Sequence, residues 1–107
     1  IGIDDGDAPR SSTPSIQDIM DAIGHYYDLK LTDLLSRRRH KSVAMPRQLG
    51  MWLARRYTRY SLEEIGSYFG GRDHTTVMHA VKRVEELRAI DRQFAEDLDL
   101  LRRMLES

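Results

Sequence analysis

A histidine and two threonines stand together at residues 74–76, preceded by Asp73, Arg72 and the pair Gly70-Gly71. Such a corner can catalyse, hold phosphate, bind a metal or meet another polymer. A nucleophilic hydroxyl needs a base beside it and a group that orients the base. Thr75 is adjacent to His74 in sequence, but consecutive residues of a helix do not face each other. A nucleotide phosphate loop needs more glycines followed by a Lys-Ser/Thr pair, and neither is here. His74 and His79 lie five residues apart, about 140° around a helical wheel, with no carboxylate on their face. Catalysis and metal binding are therefore poorly supported. Two readings remain: a capped, solvated helix start, or a surface built for recognition.

The elements around the corner favour recognition. Ser61 and Glu64 form a capping box that opens a short helix through Ile65 and Phe69, and Gly70-Gly71 ends it. Asp73 then caps a further helix whose buried face is Val77, Ala80, Val81, Val84 and Leu87, with Thr75, His79 and Lys82 pointing away. Helix, glycine turn and helix make a helix-turn-helix. In that motif the start of the second helix meets base edges in the DNA major groove.

Upstream, Ser15 and Asp18 open a first helix carrying Ile16, Ile19, Met20, Ile23 and Tyr27 at helical spacing. A second, short helix is expected from Thr32 to Ser36, capped by Thr32. A basic connector, RRRHKSVAM, leads to Pro46 at the first position of a third helix. That helix has a core face of Leu49, Trp52, Leu53, Tyr57 and Tyr60, and a second face of Arg47, Gln48, Met51, Arg55 and Arg59. A last helix, about Arg92 to Leu105, buries Phe94, Leu98, Leu101 and Leu105. No strand pattern appears, so the fold is expected to be all-α, a compact bundle of about six helices. Residues 1–14 read as a linker or arm, and residues 15–107 as one domain.

The chain has 107 residues, no cysteine and no net charge. Disulfides and thiolate metal sites are excluded, and no apolar run suits a membrane span or signal sequence. The zero sum conceals segregation. Residues 34–62 hold eight bases and no acid, whereas residues 63–107 hold ten acids and seven bases. A basic block just ahead of a helix-turn-helix suits neutralisation of phosphates. Because the chain starts at Ile1 rather than methionine, it is expected to be part of a longer polypeptide.

GGRDHTTVMHA, with SVAMPRQLGMWLAR, DLLSRRR and SLEEIGSYF upstream, resembles the C-terminal DNA-binding domain of the DnaA family of bacterial replication initiators. The resemblance runs from about Ser15 to the end, and implies a Trp-repressor-like helix-turn-helix that binds the asymmetric DnaA box in double-stranded DNA at the origin. It implies base reading by Arg47, Asp73, His74 and Thr75 in the major groove and by Arg39 in the minor groove. Lys41, Ser42, Gln48, Arg55, Leu62 and Thr76 are implied to lie along phosphates. It further implies a cytoplasmic, nucleoid-associated protein and a domain that binds as a monomer. No enzyme activity, cofactor or membrane binding is expected of this chain, since the family's ATP- and ADP-binding ATPase domain is not in it. Two alternatives stay open: a DnaA-like module in a transposase-associated or regulatory protein, and a helical bundle that docks protein partners. Regulatory proteins contact members of this family, and Glu85, Glu86 and Glu96 are acidic residues suited to that.

Overall fold

The computed structural model describes residues 14–36 and 41–106, without the side chains of Lys41 and Ser42. Six helices account for nearly all of it: α1 (Ile16–Tyr27), α2 (Leu31–Leu35), α3 (Lys41–Tyr57), α4 (Leu62–Tyr68), α5 (His74–Ile90) and α6 (Arg92–Glu106). No strand occurs among the described residues.

The capping chemistry sets the boundaries. Ser15 accepts from the Asp18 amide while Asp18 accepts from Ser15, at 3.1 and 3.0 Å. Ser61 and Glu64 exchange the same pair of bonds at 3.1 and 2.8 Å. Each box satisfies two amides that the first turn of a helix would leave unpaired. α2 starts differently from the expected Thr32 cap. The Lys30 amide donates to Asp33 Oδ2 at 3.1 Å, so the carboxylate closes the turn and Thr32 lies inside the helix. Asp91 serves two helices, its amide ending α5 on Leu87 O and its carboxylate accepting from the Phe94 amide at the start of α6.

α3 departs most from the sequence expectation. It begins at Lys41, so Pro46 is its sixth residue rather than its first. Proline there forfeits the bond to the carbonyl four residues back. Burial of Val43 and Pro46 on the same stripe as Gly50 and Leu53 offsets that loss and carries the helix upstream of the proline. α3 ends at Tyr57, where Thr58 turns back through amide and hydroxyl onto Ala54 O, so Arg59 and Tyr60 lie beyond it.

The expected basic face of α3 is also narrower than the wheel suggests. α1, α2, α4 and α5 all pack on this helix. Arg47 and Met51 are consequently buried, while Arg55 and Arg56 in the last turn are exposed. Around α3 the core gathers Ile19 and Ile23 of α1, Leu34 of α2, Ile65 of α4, Phe69, Val77 and Val84 of α5, and Leu98 and Leu101 of α6. Polar ties reinforce the packing. Trp52 donates from Nε1 to Glu85 at 2.8 Å, beneath the guanidinium groups of Arg56 and Arg88. Tyr26 donates to Asp97, and Tyr57 joins Arg102 and Glu106.

Gly66 sits where α4 meets the turn, and its carbonyl accepts the Arg72 amide at 2.9 Å. A Cβ there would lie 2.0 Å from the Arg72 carbonyl oxygen. Alanine normally stabilises a helix interior over glycine by about 1 kcal/mol. Here Gly66→Ala should instead destabilise, by about 1–3 kcal/mol, because backbone must move to admit the methyl. Urea unfolding of the two proteins checks the sign.

Candidate nucleic-acid interface

α5 starts because Asp73 stands in an extended conformation and its side chain accepts from the Thr76 amide at 3.0 Å. The same oxygen accepts from the Thr76 hydroxyl at 3.1 Å. These bonds, backbone first, hold the Asp73 carboxyl below its ordinary value of 3.8. Asp73, His74, Thr75 and Thr76 are all exposed, and the helix turns inward only at Val77. Four consecutive polar side chains thus occupy the outer surface of the first turn of α5.

Gly70 and Gly71 have φ of +89° and +76°, a region that side chains disfavour, and let the chain reverse between α4 and α5. Gly70 has a second duty. A Cβ on it would lie 2.4 Å from the Leu35 carbonyl oxygen, so the turn rests directly on the end of α2. Arg72 reinforces this seat by donating from Nη2 to Ser36 O at 2.6 Å.

Beside the start of α5 runs a cleft of about 190 Å³ between α3 and α5, lined by Ala44, Arg47, Gln48, Met51, Arg72, Thr76, His79 and Ala80. It brings Gln48 and Thr76 together with Arg47, three of the residues implied by the resemblance. Arg47 is 6% exposed. Its Nε donates to Leu34 O at 2.8 Å and its Nη2 to Asp33 O at 3.2 Å, with Ser36 Oγ at 3.4 Å. Burial, then the neighbouring Arg72 charge, lowers its proton affinity. Within this structure Arg47 therefore joins α3 to α2, whereas the sequence placed it on an open basic face. Arg55 is exposed in the last turn of α3, and Leu62 is half-buried at the start of α4. Arg39 lies outside the described residues, and Lys41 and Ser42 are described only as helix backbone. Arg72, absent from the sequence-based set, lines the cleft. Nothing in apolar periodicity marks it, because it lies in the turn.

Among the described residues no group of acids and histidines is placed to hold a metal ion, and no helix is long and apolar enough to cross a membrane. α4, the turn at residues 69–73 and α5 form a helix-turn-helix with an exposed polar start to its second helix. Residues 16–84 match the family model described as bacterial dnaA protein helix-turn-helix, and the chain belongs to that family. Relatives carry the name chromosomal replication initiator protein DnaA. The protein of Gluconobacter oxydans is 54% identical over 92 residues, 86% of this chain and 19% of that protein. That of Caulobacter vibrioides is 54% identical over 91 residues, 85% of this chain and 19% of its own length. The Ruegeria sp. protein is 48% identical over 93 residues, 87% and 20% respectively. The chain thus spans about a fifth of the length of these relatives.

The Asp73 cap makes a pH-dependent contribution to stability. Its carboxyl is more acidic folded than unfolded, so the contribution is present above the unfolded value and lost as pH falls through the folded one. Asp73→Asn retains most of the capping and cannot titrate. Below pH 3.8 the parent should lose more stability than Asp73→Asn, and melting curves from pH 6 to about 2.5 check the difference.

Proposed function

We propose that this domain binds double-stranded DNA in a sequence-specific way, at DnaA boxes of a bacterial replication origin, as part of replication initiation. The observation that carries the reading is the exposed His74–Thr75–Thr76 turn at the head of the second helix of a helix-turn-helix. That is where this motif presents side chains to the major groove. Imidazole and hydroxyl groups hydrogen-bond base edges, a threonine methyl packs on the thymine methyl, and an aspartate accepts from a cytosine amine. Membership of the family, whose relatives are named as replication initiators, supports the same reading.

In this reading Asp73, His74 and Thr75 face base edges in the major groove, and Arg39 enters the minor groove, where narrow A·T-rich DNA attracts a guanidinium. Lys41, Ser42, Gln48, Arg55, Leu62 and Thr76 line the phosphates. Thr76 must turn its hydroxyl away from Asp73 to donate to a phosphate. Arg47 meets a base only if its guanidinium leaves the α2 carbonyls. The domain acts as a monomer, and its basic block supplies the salt-dependent share of affinity. Regulatory proteins remain partners in this reading, although Glu85 is already engaged by Trp52 and Arg88.

Selection from a randomised duplex library with the parent protein should yield one asymmetric consensus. Against that consensus, Arg39→Ala and His74→Ala should each cost about 1–3 kcal/mol. Arg55→Ala should weaken consensus and scrambled duplexes alike and reduce the salt dependence by about one ion. Fluorescence anisotropy at several salt concentrations measures all three. Failure to enrich any consensus, or His74→Ala binding both duplexes like the parent, would refute base reading.

A further inference from the structure

The end of α2 and the start of α5 are joined by a single seat. On one side, Arg72 is adjacent to Asp73, the residue that caps α5 and begins its exposed polar turn. On the other, Ser36 precedes Arg39 by three residues. Arg72 Nη2 donates to Ser36 O at 2.6 Å, across 36 positions of sequence. Gly70 lies against the Leu35 carbonyl so closely that only a hydrogen fits between them. Arg47, from α3, takes the two preceding carbonyls, Leu34 O and Asp33 O. The Ser36 hydroxyl donates to Asp33 O at 2.9 Å and completes the knot.

We propose that Arg72, with Arg47, is a positioning residue for DNA recognition: it fixes the exit of the chain from α2 against the start of α5, and so sets the register between minor-groove and major-groove contacts. This rests on the two-groove reading above and assigns a duty to Arg72, which that reading leaves without one. The chemistry suits the duty. A guanidinium is a rigid planar donor that satisfies carbonyls from several directions, whereas a lysine offers one flexible ammonium. Two guanidiniums near one helix end also repel, a cost that the carbonyl oxygens of α2 offset. Such a pair is a costly way to tie a short helix if stability alone were required, since apolar packing does this with no charge to desolvate.

A double-mutant cycle between Arg72 and Arg39 tests the proposal, using the full chain and the consensus and scrambled duplexes. Arg72→Ala should weaken consensus binding about tenfold. Binding to the scrambled duplex should change by less than about twofold, since phosphate contacts remain. The double variant Arg39→Ala/Arg72→Ala should bind within about twofold of Arg39→Ala alone, because without the Arg39 guanidinium Arg72 has no minor-groove contact to position. If melting shows that Arg72→Ala does not fold, Arg72→Lys takes its place in the cycle, with a smaller loss and the same non-additivity. Losses that add, an equal loss on the scrambled duplex, or Arg72→Ala binding like the parent would each overturn the proposal. Additive losses with Arg39→Ala itself weakened would leave the two-groove reading standing. If Arg39→Ala alone binds the consensus like the parent, the minor-groove reading fails and the coupling fails with it.

Discussion

The carbonyl end of α2 is where α3 and the turn into α5 are tied together. A five-residue helix has too few internal bonds to hold itself, so its last carbonyls must find partners elsewhere. They find Arg47 from the central helix and Arg72 from the turn, while Gly70 lets the turn come close. One point of contact therefore joins three separate stretches of chain: the segment leading to the basic block, the long helix α3, and the reversal into α5.

From that junction the division of labour in α5 follows. Its first turn is polar and exposed because Asp73 caps it from outside, and its remaining length is held by Val77, Ala80 and Val84 against α3 and α4. A recognition surface needs rigid support more than it needs apolar area of its own. Here the support comes from the inner face of the same helix, and from Trp52 bonded to Glu85 further along. The family match and the exposed turn both support the proposed DNA recognition.

Much of this was legible in the sequence, and the reason is local chemistry. Ser15 with Asp18, Ser61 with Glu64, and Asp73 are caps whose partners lie within three residues, so spacing alone reveals them. Gly70-Gly71 signalled the turn for the same reason. What spacing could not reveal was tertiary. Pro46 at a first helical position is the local optimum, yet burial of Val43 carried α3 five residues further upstream. Thr32 is a better cap than Lys30 by type, yet Asp33 chose the start of α2 through its own carboxylate. Arg47 falls on the basic side of a wheel, which cannot show that α2 covers that side. Arg72 carried no periodic signal at all, since its role depends on where Ser36 lies.

Chemical footprinting on the selected duplex separates major-groove from minor-groove contact. Methylation at guanine N7 reports the major groove and at adenine N3 the minor groove, because those atoms are the exposed ones there. Bound parent protein should protect N7 positions in one stretch and N3 positions in an adjacent one, on a single asymmetric site. Arg39→Ala should lose only the N3 protection. Uniform backbone protection without either base signal would contradict the account, as would N3 and N7 protection that both survive His74→Ala and Arg39→Ala.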